Sequence, residues 1–256
     1  MEKRTKIVAT IGPSSSSEEI LMEMINEGVN VFRINFSHGT HQDHIEAIKK
    51  IKKVDNNLGS HTAILADLQG PKIRIGEMPD DGVLLKENDE FYLTTLKEHQ
   101  LPLAANISLK QLPLDVKKGE KILLDDGKIH LIVKETNKKD TIKTKVIAGG
   151  ILFSRKGVNL PDTNISVSSL TKKDKEDLKV AIEQKVDWIG FSFVRSAREV
   201  IELKHLISNL NGDAKVIAKI EKPEAVKDLN SIMEETDAIM VARGDLGVEV
   251  PLEKVP

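Results

Sequence analysis

The chain opens by alternating two hydrophobic periods. Thr5 to Ile11 is a short apolar run closed by Gly12-Pro13, which predicts a buried strand. The serines at 15 to 17 offer helix N-caps, Ile20, Leu21, Met24 and Ile25 form a helical stripe, and Gly28 fits the helix stop. Val29 to Asn35 predicts the next strand. Ile45, Ile48 and Ile51 share one side of a helix near 40–54, and Thr62 to Leu68 predicts a third strand. A β-α-β-α-β order is the signature of parallel strands with helical crossovers.

From about residue 76 the helical period disappears. Phe91 to Thr95, Lys121 to Leu124, Lys128 to Val133 and Thr141 to Val146 alternate or run apolar, and Asp125-Asp126-Gly127 is a hairpin signal. Residues 76–158 therefore read as a separate, Lys-rich β insert between a first segment at 1–75 and a second at 159–256. In the second segment the β/α rhythm resumes. Thr171 and Asp174 form a capping-box pattern ahead of a helix packing on Leu178, Ala181 and Ile182. Strands follow at Trp188–Phe193, Val216–Ile220 and Ala238–Val241, with helices near 197–210 and 223–235, the latter with Pro223 in its first turn.

Outside the insert this predicts six parallel strands. An eight-stranded β/α barrel needs ~250 residues, whereas about 173 of the 256 remain once about 83 are assigned to the insert. The expected fold is α/β: a (β/α)8 TIM-type barrel truncated to about six strands, with an inserted small β-barrel domain. A complete doubly wound sheet of six strands satisfies the same pattern.

Composition adds exclusions. The net charge of -2 gives no global reason for binding nucleic acid or an anionic membrane. Cysteine is absent, which removes disulfides and thiolate metal sites, and no run approaches the ~18 apolar residues of a membrane span. The expected compartment is the cytoplasm.

Polar residues gather where strands run out: Arg33, Asn35 and Ser37 after the second, Asp67 and Lys72 after the third, Lys219 and Glu221 after the fifth, Arg243 and Asp245 after the sixth. In a β/α barrel those ends form one face, where active sites sit. Glu221 and Asp245, with no Cys or nearby His, suit a hard divalent cation such as Mg²⁺ or Mn²⁺. The competing reading is two solvated acids, or partners for lysines. Lys219 alternates with Glu221 and so faces the same way. Its ammonium suits negative charge developing on an oxygen, or a salt bridge to Glu221. Gly244 and Gly247 flank Asp245, where backbone N–H groups could bind a carboxylate or phosphate. Arg33, Arg74, Lys72 and Lys156 are cations suited to phosphate oxygens. No Walker loop or dinucleotide-binding glycine fingerprint occurs.

Six stretches then resemble the pyruvate kinase family, in family order: Lys6–Pro13 (KIVATIGP), Val31–Gly39 (VFRINFSHG), Asp67–Arg74 (DLQGPKIR), Lys156–Pro161 (KGVNLP), Lys219–Glu221 and Met240–Glu249 (MVARGDLGVE). The resemblance implies a barrel with a β lid at about 76–158, and phosphoryl transfer from phosphoenolpyruvate to ADP giving pyruvate and ATP. It implies Glu221 and Asp245 as divalent-metal ligands and Lys219 as the group stabilising the enolate and the phosphoryl in flight. Arg33 is implied as a contact to the substrate phosphate, the backbone at Gly244 and Asp245 as a carboxylate site, and Arg74 and Lys156 as nucleotide-phosphate contacts. Potassium-dependent members use positions matching Asn35, Ser37, Asp67 and the Leu68 backbone, with a Glu where Lys72 stands. Lys72 resembles the subgroup in which a lysine replaces bound K⁺, so K⁺ is expected to be dispensable.

The resemblance also implies a homotetrameric full-length protein, and it leaves the family's next barrel strand and C-terminal domain outside this chain. A catalytically inactive fragment that binds metal and phosphate ligands is the alternative. Another Mg²⁺-dependent barrel acting on phosphoenolpyruvate or a keto acid is a third, opposed by the β insert and KGVNLP.

Overall fold

The computed structural model describes residues 4–256. The chain divides into two compact units. The first comprises the residues up to Gly70 with Ser169–Ile220 and Glu224–Val241, and the second Pro71–Ser168, Glu221–Pro223 and Ala242–Pro256.

The first unit is built on six strands: β1 (Ile7–Thr10), β2 (Val29–Asn35), β3 (Ala63–Asp67), β4 (Trp188–Phe191), β5 (Lys215–Ile220) and β6 (Ala238–Val241). All pair in parallel and lie side by side in chain order. A doubly wound sheet reverses its order at a switch point, whereas a β/α barrel places each strand beside its predecessor. The observed order is the barrel's, and the doubly wound alternative is discarded. The long excursion between β3 and β4 does not disturb this: Leu65 pairs with Trp188 and Asp67 with Gly190.

The first four helices between the strands begin where side-chain oxygens satisfy free N–H groups. In α1 (Glu18–Asn26) the Ser17 side chain accepts from Ile20 N, and α2 (His41–Leu58) opens on a Thr40–Asp43 capping box. Helix α2 runs past the expected 40–54. The polar stretch Asp55-Asn56-Asn57 hides its period, and Gly59, in the left-handed region at φ 60°, ends it. The expected Thr171–Asp174 box opens α3 (Lys172–Glu183). Asp174 is fully buried, and its Oδ1 also accepts from Gly70 N at 3.0 Å, tying the loop after β3 to this helix. After α4 (Ala197–Asn209), the single helix expected over 223–235 is instead two, α5 (Pro223–Lys227) and α6 (Leu229–Glu235). The break falls at Asp228, whose carboxylate accepts from Ala197 N at 2.9 Å. The fourth strand also stops two residues early, because Phe193 turns the chain through φ 56°.

The second unit has its own core, with Phe91, Leu93, Ile122, Leu131, Val133 and Ile142 fully buried. Its six-stranded sheet runs in the order Val158–Asn159, Lys121–Leu124, Ile129–Thr136, Thr141–Ala148, Glu90–Thr94, Ala104–Asn106; Val83–Leu85 pairs separately with Gly150–Leu152. The unit is wider than 76–158 because Ile73, Ile75 and Leu160 bury their side chains in this core. Asp125, Asp126 and Gly127 take φ of 51°, 54° and 82°, the left-handed turn that closes the hairpin between Leu124 and Ile129. This unit also holds a short helix at Leu112–Asp115 and the helix α7 (Arg243–Glu249).

Candidate active site

In the first unit the polar strand ends converge on Asp67. This carboxylate closes β3, level with Asn35 on one neighbour and Gly190 on the other. Gly190 is required there, since a Cβ would lie 2.8 Å from Asp67 Oδ1. Arg33, from β2, donates from Nε to Asp67 Oδ2 at 2.6 Å and brings Nη2 to 2.5 Å, while Nη1 donates to Thr10 Oγ1. Lys219, from β5, places Nζ 3.2 Å from Asp67 Oδ1 and 3.4 Å from Oδ2. Oδ1 receives no aligned hydrogen bond from the described residues, so its contact with Lys219 is purely ionic. A buried carboxylate needs such partners, because removing a charge from water costs several kcal/mol, roughly, unless it is offset. Two cations around one anion leave the group with a surplus positive charge, which suits an anionic substrate.

The other expected monovalent-site positions are also engaged. Asn35 Oδ1 accepts from Ser37 N at 3.0 Å, and the Leu68 carbonyl accepts from Ser192 Oγ at 2.7 Å. Beside them a cavity of about 640 Å³ opens, lined in part by Thr10, Gly12, Pro13, Asn35 and His38.

The remaining expected residues stand in the second unit. Glu221, directly after β5, is buried. Asp245 lies in the first turn of α7, with Lys72 Nζ at 4.0 Å, the outer limit of an ion pair. Arg74 and Lys156 come together on adjacent backbone. Arg74 bridges to Gly157, Ile75 N donates to the Lys156 carbonyl, and the Arg74 guanidinium donates to the Arg155 carbonyl. Lys156 Nζ lies 2.8 Å from Asp125 Oδ1, and Lys128 Nζ donates to Asp125 Oδ2 at 3.0 Å. The hydrogen bond from Lys156 holds the Asp125 carboxyl below the usual carboxylate range; burial opposes the shift and Lys128 adds to it.

Among the described residues no three His, Cys, Asp or Glu side chains form a metal-holding group. The pair Glu221 and Asp245 nonetheless fits a Mg²⁺-type ion by its chemistry. Such ions take hard oxygens, commonly one or two carboxylates, with water and substrate phosphate filling the shell.

Two groupings were not anticipated from the sequence. Buried Ser192, just past β4, accepts from Lys219 Nζ at 2.8 Å. It is the fourth strand's counterpart to the polar ends of the second, third, fifth and sixth; reading Trp188–Phe193 as continuous strand concealed it. Buried Lys222 and Glu249 pair at 2.9 Å, and Asn159 donates to the same carboxylate. That ties two of the recognised stretches together through Asn159 and Glu249, with Lys222 just past a third, but tertiary pairing of this kind leaves no periodic mark.

A family model described as "Pyruvate kinase, barrel domain" matches residues 2–256. Pyruvate kinase 2 of Synechocystis sp. is 46% identical over 262 residues, covering 100% of this chain and 44% of that protein. The pyruvate kinase of Thermococcus litoralis is 44% identical over 253 residues, covering 99% and 53% respectively. That of Staphylococcus aureus is 41% identical over 255 residues, covering 99% and 44%. The chain thus spans about half the length of the curated relatives it matches.

Proposed function

The chain belongs to the pyruvate kinase family, and from that premise we propose that it carries machinery for phosphoryl transfer from phosphoenolpyruvate to ADP. The observation that carries this reading is the Arg33–Asp67–Lys219 cluster toward three strand ends, its Asp67 and Lys219 buried and its Arg33 half-buried, cationic in sum. Arg33 grips the substrate phosphate, and the backbone at Gly244 and Asp245 receives the carboxylate. Lys219 faces the oxygen that loses the phosphoryl group, so its charge rises in value as the P–O bond breaks and the enolate forms. The phosphoryl passes to a terminal oxygen of ADP, and the enolate takes up a proton to become pyruvate. Arg74 and Lys156 hold the nucleotide phosphates, Lys156 exchanging Asp125 for them. Glu221 and Asp245 would hold Mg²⁺ or Mn²⁺, which when bound neutralises phosphate charge and aligns the oxygens. Positioning and charge neutralisation are what this reaction requires of a protein.

Lys72 supplies a fixed positive charge where potassium-dependent relatives place a glutamate, so K⁺ is dispensable in this reading. Replacing K⁺ by a bulky organic cation should leave turnover within about twofold, less than one kcal/mol by transition-state arithmetic; a large rise with K⁺ would contradict it. The cytoplasm is the compartment that suits such substrates, and no helix among the described residues is long and apolar enough to cross a membrane.

A second reading applies to the chain by itself. Ile7 and Val8 on β1 and Ile239 and Val241 on β6 are exposed at the two outer strands of the sheet. Uncovered apolar edges favour association with other chains over a closed barrel, and the alternative for the chain alone is a fragment that binds ligands without turning them over. Calorimetric titration with phosphoenolpyruvate in Mg²⁺, run beside a coupled pyruvate assay, separates the two. Heat with pyruvate supports the enzyme, heat alone supports the binding fragment, and neither sinks both.

A further inference from the structure

Ser192 has no part in the reaction as described, yet it makes the shortest contact to Lys219 among those given above. Its hydroxyl stands 2.8 Å from Lys219 Nζ and 2.7 Å from the Leu68 carbonyl. An ammonium only donates and a carbonyl only accepts. The proton order is therefore fixed: Lys219 gives to Ser192, and Ser192 gives to Leu68.

The backbone around this hydroxyl is held firmly. Phe193, the next residue, takes φ 56°, a left-handed conformation that is costly for a bulky aromatic side chain. Ser169 Oγ lies 2.8 Å from the Phe193 carbonyl, and a 2.6 Å Arg195–Glu199 ion pair stands beside Ser169. From the other side, Gly70 packs bare against the turn. A Cβ there would meet the Phe193 ring at 2.7 Å and the Ser192 side chain at 3.2 Å. A strained conformation fixed from several directions marks a position where geometry matters.

We propose that Ser192 is a positioning residue for the Lys219 ammonium. Lysine carries three donors on a flexible four-carbon stem, and Asp67 offers it only long contacts. The shorter, directional bond to Ser192 sets where the charge stands and keeps it from collapsing onto Asp67. Anchoring through Leu68 fixes the hydroxyl to the loop that follows β3. The inference rests on the role given to Lys219 above.

The test uses the protein expressed at full length from its own gene. Ser192→Ala should lower kcat about ten- to a hundredfold, with KM for phosphoenolpyruvate within about threefold, because the lost interaction acts mainly in the transition state. Ser192→Thr, which keeps the hydroxyl, should recover kcat to within about threefold of wild type. In protein labelled with ¹⁵N-lysine, exchange of the Lys219 Nζ protons with water should quicken in Ser192→Ala and return towards normal in Ser192→Thr, a change that general loosening of the fold would not confine to one lysine. Should Ser192→Ala fail to fold, Ser192→Cys keeps the volume but accepts weakly, and the same loss is expected. Wild-type kcat and an unchanged Lys219 signal in Ser192→Ala, or in Ser192→Cys where Ser192→Ala does not fold, overturn the proposal. Lys219→Met separates the two failures. If Lys219→Met is inactive while Ser192→Ala is unimpaired, this inference alone falls; if Lys219→Met is active, the reading of Lys219 falls and takes the inference with it.

Discussion

Each unit seats one aspartate between two cationic side chains, and the two seats differ in how far water reaches them. In the first unit Asp67 is 2% exposed at its side chain, and Arg33 and Lys219 are 27% and 10% exposed. In the second, Asp125 is 11% exposed, but Lys156 and Lys128 are 35% and 70% exposed. Charges removed from water attract strongly and are costly to leave alone, whereas exposed pairs are screened and exchange partners easily. The inner seat is therefore a preorganised charge array, suited to a transition state. The outer seat is a screened pairing that Lys156 can leave at little cost.

The largest expected effect comes from emptying the inner seat. Asp67→Ala strands Arg33 and Lys219 without their anion and should destabilise the chain by about 3–5 kcal/mol, read from urea unfolding. A loss near that of an ordinary surface change would erase the distinction between the seats.

Glycines beside the two seats sharpen the comparison. At Gly190 a Cβ would press to 2.8 Å from Asp67 Oδ1, so Gly190→Ala should cost about 1–3 kcal/mol. At Gly157 the nearest atom, Asp126 Oδ1, is at an ordinary 3.8 Å, and Gly157→Ala should stay within about 0.5 kcal/mol. Paired thermal melts check both, and equal losses would contradict the difference in packing.

The smallest effect belongs to the outer seat. Because Lys156, Lys128 and water share the burden, Asp125→Asn should cost about 1 kcal/mol or less at neutral pH. Its pH dependence has a definite sign. The folded carboxyl titrates below its unfolded value, so the stabilisation is complete above about pH 4 and fades as pH falls through the lowered folded pKa. Unfolding curves of wild type and Asp125→Asn should therefore converge in acid, and a gap that widens there would refute the assignment.

The chain's own pattern reveals the sheet far better than these seats. Strands β2 and β6 fall where the apolar positions place them, at Val29–Asn35 and Ala238–Val241, although β6, an outer strand, leaves Ile239 and Val241 exposed. The capping box at Thr171–Asp174 was legible because it is local. The division of 223–235 was not, since the Asp228 carboxylate that marks it turns to Ala197, 31 positions away. Lys219, Arg33 and Asp67 could each be picked out as strand-end polar residues. That Asp67 binds both cations depends on the register of β2, β3, β4 and β5, which periodicity does not specify. Ser192 escaped because a serine flanked by phenylalanines reads as strand interior, and only the left-handed Phe193 shows where β4 ends.

The most direct trial of the account is turnover itself. Full-length protein expressed from its own gene should form pyruvate and ATP from phosphoenolpyruvate, ADP and Mg²⁺, and Lys219→Met should cut kcat by roughly a hundredfold or more, the scale of losing one preorganised charge at the reacting oxygen. No pyruvate from the wild type, or undiminished turnover in Lys219→Met, would contradict it.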